Sequence, residues 1–195
     1  LLMLPILLAC CWLCCCCECS FLSKVLWPRH ENSALTKEVH RNLSIQFENR
    51  RTHKRYLALL DGHLESDAGT INCPMRKDMD VRPLQLVDYF EGKPSTTHYR
   101  VLARETLKGN PVTRVELLPH TGRTHQLRVH AAHPKVTTIG KPSGDETTGL
   151  GVPIVGDELY DERKDADRLM LHASMLTIHH PVEGSQMPFY APVPF

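Results

Sequence analysis

Between Leu117 and Pro134 the sequence reads LLPHTGRTHQLRVHAAHP, with four histidines and two arginines in a run whose Leu, Val and Ala otherwise suit a buried element. Whatever fold contains it must bury or occupy those polar groups, because unpartnered polar atoms are costly in an interior. A metal site is one outlet, since histidine is a common transition-metal ligand. The spacing argues against it. His120, His125, His130 and His133 are separated by five, five and three positions, with no carboxylate or cysteine among them. Zinc-binding helices place two histidines four apart on one face with a Glu between them. No metal is expected. Hydrogen-bonded histidines at a helix start are a second reading. Anion recognition is a third: Thr124 as N-cap of a helix over His125–Ala132, with Gly122 turning the backbone before it, would aim free N–H groups and Arg123 at one spot. The residues alone leave these two open.

With 195 residues the chain suffices for one domain, with room for an appendage. A net charge of +1 means that any nucleic-acid binding must come from a local patch. Seven of the eight cysteines fall between Cys10 and Cys19, leaving only Cys73 elsewhere. No second pair completes a zinc ribbon, and adjacent cysteines are poor disulfide partners. The remainder reads as an intracellular, reduced protein of no particular compartment. The first seventeen residues are apolar up to Glu18, with Pro5 inside. That is borderline for a membrane anchor over residues 1–23. The other reading makes residues 1–34 foreign to the fold, in a chain that begins at Leu1 as a fragment or processed product would.

From Leu35 the pattern changes. TKEVHRNLSIQFENRR carries Val39, Leu43 and Phe47 at four-residue spacing behind a candidate N-cap, Thr36, which predicts an amphipathic helix. RYLALLDG reads as a short buried strand. Between them lies a basic run, of which Arg51, Lys54 and Arg55 are candidate RNA-backbone contacts against the alternative of a solvated face. Residues 62–95 read as hairpins and loops. TTHYRVLARETL and VTRVELLP read as strands joined at KGNP. KVTTIGKPSGDETTGLG reads as a polar loop, VPIVGDELY as a buried strand and turn, and RLMLHASMLTIHHP as a helix or strand before an extended terminus. The order predicts an α+β fold, a mixed and mainly antiparallel sheet with flanking helices.

Taken together, TKEVHRNLSIQFENRRTHKRYLALLDG, RPLQLVDYFEGKPSTTHYRVL, TGRTHQLRVHAAHP with GVPIVGDELY, and RLMLHASMLTIHHPVEGSQMPFYAPVPF resemble the RluA-like RNA pseudouridine synthases, in the right order. The resemblance covers 35–195 apart from one insertion. It implies isomerisation of uridine in structured RNA, ribosomal or transfer, by a monomer without cofactor or metal. The target base leaves its stack for a pocket. An aspartate attacks the nucleotide, the glycosidic bond breaks, and the base rotates and rejoins through carbon. By the same resemblance Arg123 pairs with that aspartate, Tyr56 packs on the flipped base and assists proton removal, and Leu171 closes the pocket floor. Arg128 joins Lys54 and Arg55 as a phosphate contact.

Two departures stand out. Lys135 to Thr148 intervene where the family has almost nothing, which makes 135–148 an inserted loop. More seriously, the family's His-Arg-Leu-Asp motif belongs just before Leu35, where this chain has SFLSKVLWPRHENSA, and no aspartate precedes Asp61. The expectation is a pseudouridine synthase domain inactive as written. The alternative is a non-catalytic RNA-binding protein that keeps the fold.

Overall fold

The computed structural model describes residues 37–141, 149–161 and 166–195. The Cys-rich segment with its anchor reading, Thr36, and residues 142–148 of the insertion lie outside them. Among the described residues two helices, α1 (Lys37–Glu48) and α2 (Gln126–Ala132), accompany nine strands: β1 (His53–Leu60), β2 (Ala68–Asn72), β3 (Met75–Lys77), β4 (Gln85–Asp88), β5 (Thr96–Leu107), β6 (Asn110–Pro119), β7 (Thr138–Ile139), β8 (Leu171–His179) and β9 (Gln186–Tyr190). Six strands form an antiparallel sheet in the order β2-β5-β6-β1-β8-β9. A second sheet, β3-β4-β7, adds an antiparallel and a parallel pair, so the α+β, mainly antiparallel expectation holds.

The β5–β6 hairpin turns on Lys108 and Gly109, with φ of 50° and 84°. Two left-handed residues in a two-residue loop match the right-handed twist of the flanking strands. Asn110 and Pro111, predicted in the turn, belong to β6. Pro111 is tolerated because β1 begins to pair with β6 only at Thr113.

Helix α1 half-buries Val39, Leu43 and Phe47, as its periodicity predicts. Its best-buried described side chain is polar. Gln46 donates from Nε2 to the His179 carbonyl and accepts at Oε1 from the His179 N–H, both at 2.8 Å. The amide therefore mimics one more ladder residue at the end of β8.

The main core lies on one face of the large sheet. Ala58 and Leu60 of β1, Val115 and Leu117 of β6, Leu171 of β8 and Tyr99 of β5 pack there against Leu127, Val129 and Ala131 of α2. A smaller cluster of Leu59, Val112 and Val155, with Phe195 against it, is separate. RLMLHASMLTIHHP supplies a strand, because β8 must cover the open edge of β1. VPIVGDELY makes a single bridge, Leu60 to Ile154, followed by turns rather than a strand. The insertion contributes structure where a polar loop was expected. Thr138 and Ile139 pair in parallel with Val87 and Asp88, giving β4 a second neighbour.

Candidate active site

Strand β1 lies between β6 and β8, and Tyr56 faces Leu117 on one side and Ala173 on the other. Its ring packs half-buried against the main core, on the same face as Leu171, which is 2% exposed. One residue earlier the strand changes character. Ser174 is extra in the β1–β8 register, and this bulge lets its hydroxyl donate to the Arg55 carbonyl at 3.1 Å. Alternation puts Arg55 on the face opposite Tyr56. There its guanidinium lies 3.7 Å from Glu116, which also binds Arg100 at 3.1 Å. Arg55 is thus engaged away from Tyr56's face. Lys54 shares the Tyr56 side of the strand by the same alternation, and Arg51 is exposed ahead of it.

Arg123 follows β6 in the loop before α2. It is half-buried, its Nε donates to the Pro94 carbonyl at 3.4 Å, and no ion pair to it is found among the described residues. Thr124 is not the N-cap. Helix α2 begins at Gln126 behind His125, which is left-handed at φ 55° and provides no side-chain cap bond. The loop is held instead by Gln126. Its Nε2 donates to the Thr96 carbonyl (2.9 Å) and the Thr97 hydroxyl (3.0 Å), while its Oε1 accepts from the Thr121 hydroxyl (2.7 Å) and the Arg123 backbone N–H (3.0 Å). Sequence reasoning passed over this residue. The available signal was a Gln three positions after Arg123, the reach-back half of a capping box.

Three of the four histidines are structural. His125 Nδ1 is hydrogen-bonded to the Tyr160 hydroxyl, 2.9 Å away, and that hydroxyl accepts from the Gln85 N–H at 2.9 Å. Burial, reinforced by the Arg128 charge, pushes His125 down to about 4, and burial also lifts Tyr160 to about 12. His130, 1% exposed, is pushed down to about 4 by burial against the opposing pull of the Cys73 backbone. His133 is lowered by burial too, and accepts at Nδ1 from the Gly149 N–H at 3.3 Å. His120 alone is exposed. Among the described residues no group of three or more His, Cys, Asp or Glu could hold a metal ion.

Arg128 departs from its expected place on the surface. It is 5% exposed, its Nε donates to Asp157 Oδ2 at 2.8 Å, its Nη2 pairs with Oδ1, and its guanidinium lies over the Tyr160 ring at 5.2 Å. A phosphate cannot reach it without breaking that pair. Asp157, fully buried, also accepts from the Leu159 and Tyr160 N–H groups at 3.0 and 3.1 Å. GDELY and TGRTHQLR are therefore two halves of one interlock.

The insertion leaves and returns at one place. Leu150 and Val152 donate to the His130 and Ala131 carbonyls at 3.0 Å each, and Gly151 to that of His133 at 2.7 Å. These bonds satisfy carbonyls at the end of α2 that a helix leaves unpaired. A Cβ on Gly149 would stand 2.5 Å from the His130 oxygen, so only glycine fits there.

The loop that carries Arg123, together with Tyr56 and Arg128, falls within residues 33–133, which a family model described as RNA pseudouridylate synthase matches. The chain belongs to the RNA pseudouridylate synthase family. It is 42% identical over 161 residues to the dual-specificity RNA pseudouridine synthase RluA of Haemophilus influenzae, covering 81% of this chain and 65% of that protein. To the RluA of Escherichia coli K12 it is 41% identical over 165 residues, covering 83% and 67%. The chain thus spans about two thirds of the length of these curated relatives. Among solved structures, human RNA Pseudouridylate Synthase Domain Containing 1 aligns with a TM-score of 0.67 at 34% identity, covering 85% of this chain and 68% of that one. Human RNA Pseudouridylate Synthase Domain Containing 4, at 23% identity and a TM-score of 0.57, shares the fold.

Proposed function

We propose that this chain is built for uridine isomerisation in structured RNA, and that the 195 residues as they stand bind RNA without converting it. The observation that carries the reading is Arg123: a guanidinium in a tightly held loop, half-buried, whose one side-chain acceptor among the described residues is the Pro94 carbonyl, 3.4 Å away. Such a group is suited to orient a carboxylate and keep it ionised. Tyr56 and Leu171, together on the core face of β1 and β8, supply an aromatic surface and an apolar floor for a flipped base. The reaction still needs a nucleophile. No aspartate precedes Asp61 in the sequence, and Tyr56, Arg123 and Leu171 cannot attack as a carboxylate does. This favours the second reading, RNA binding alone, for the chain as written.

Tritium release from RNA labelled at uridine C5 tests both halves. The 195-residue chain is expected to release none above background, whereas a chimaera in which the aspartate-bearing segment of the E. coli relative replaces residues 1–34 is expected to turn over. Multiple turnover by the unaltered chain would overturn the claim about the nucleophile; an inert, well-folded chimaera would overturn the pocket. RNA affinity has its own check. Arg51→Glu with Lys54→Glu is expected to weaken binding to a stem–loop RNA and flatten its salt dependence. Arg55 is left out, because a glutamate there would face Glu116. An unchanged salt slope would make the basic run a solvated face.

A further inference from the structure

We propose that Gln126 is a positioning residue whose role is to fix Arg123, an inference that rests on Arg123 being a pocket residue. A glutamine amide has two N–H donors and a carbonyl with two lone pairs. In Gln126, 4% exposed, all four are used, by Thr96, Thr97, Thr121 and Arg123, at 2.7–3.0 Å. Only one amide orientation serves. Turned over, the carbonyl would face the Thr96 oxygen and the NH₂ would face the Arg123 N–H.

The clamp controls Arg123 from both ends. One bond holds its backbone N–H directly. Two others hold the start of β5, at Thr96 and Thr97, two and three residues beyond Pro94, the carbonyl that receives the Arg123 guanidinium. Thr121 closes the frame: its hydroxyl also accepts from the Thr96 N–H at 2.9 Å. Besides the clamp, the main chain at Arg123 is held by the Gln126 backbone N–H, which donates to the Arg123 carbonyl at 3.1 Å, while His125 supplies no side-chain cap. Loss of the clamp frees the loop and separates the guanidinium from its acceptor together. A buried side chain thereby sets where a charge meets the RNA.

A double-mutant cycle on the 195-residue chain tests this, reading affinity for a uridine-containing stem–loop RNA. Arg123→Ala and Gln126→Met are each expected to weaken binding about five- to tenfold, and Gln126→Met is expected to add less than about twofold once Arg123 is already alanine. Gln126→Glu keeps the acceptor half of the clamp and should fall between wild type and Gln126→Met. Thermal midpoints are recorded in parallel, because a merely structural role would lower stability and affinity alike in both backgrounds. Equal factors in the two backgrounds overturn the proposal and leave the pocket standing. An Arg123→Ala chain that binds as wild type overturns the proposal too, because Arg123 then makes no contact with RNA for Gln126 to fix. If the Gln126 variants do not fold, amide exchange in the unaltered chain decides: the Arg123 N–H is expected to be protected, and exchange at the free-loop rate overturns the clamp.

Discussion

Tyr160 shows how much one hydroxyl can hold. It accepts from Gln85 at the start of β4 and is hydrogen-bonded to His125 at the head of α2, while its ring carries the Arg128 guanidinium and meets His125 edge-on with centroids 5.7 Å apart. Removing only the oxygen leaves the stacking and strands a buried ring nitrogen and a buried N–H. Tyr160→Phe is therefore expected to cost about 1–3 kcal/mol. Urea unfolding should show a lower midpoint with an unchanged slope. No loss would mean that water replaces the hydroxyl. The sequence showed the GDELY block but not this use of it, because a tyrosine after two acids has no periodicity that distinguishes a surface residue from a linchpin.

At the scale of elements, α2 is too short to stand alone: seven residues are below the length at which isolated helices persist. It is held by the Arg128–Asp157 pair, by the returning chain at Leu150–Val152 and by its apolar packing on the sheet. Taking away one member of a buried pair strands the other charge. Arg128→Met is expected to cost about 3–5 kcal/mol, and adding Asp157→Asn should restore part of it. If the double variant is no more stable than the single one by calorimetry, the pair is not what seats the helix. The strands were legible in the sequence where periodicity was long, as in β1, β5 and β6. The helix start was not, since Thr124 satisfies every local rule for an N-cap and yields to tertiary bonds from Gln126 and Tyr160. Arg128 looked like a surface cation for the same reason: its partner lies 29 positions away. Tyr56 and Leu171 were picked out by resemblance rather than by pattern; Arg123 stood out in the pattern as an anion-binding candidate, and only its pairing with an aspartate came from the resemblance. β7 was hidden because two residues in a polar stretch carry no signal.

For the molecule as a whole, the buried histidines set an acid limit. His125 and His130 are both depressed from the usual 6.5 to about 4 by burial, and His133 is lowered in the same direction. Between those values the unfolded chain binds protons that the folded chain does not, so stability rises with pH there. The contribution is fully present above about pH 6.5 and is lost as pH falls toward about 4, amounting to several kcal/mol in all. Thermal midpoints taken from neutral to mildly acid buffer are expected to drop across that window. A flat profile would mean that these rings are already charged in the fold.

The sheet order also dictates when the molecule can finish. Strand β1 is ready early in synthesis, yet one of its two partners is β8, and Arg55 meets Ser174 across 119 positions of chain. Contacts of such span are slow to close, and until they do an apolar edge stays bare. Leu171 arrives with that same late strand. A ribosome that pauses before β8 emerges thus holds a nascent chain with Tyr56 on an unpaired edge and its neighbour on the pocket floor still unmade, and it is then that a chaperone would find the most to grip.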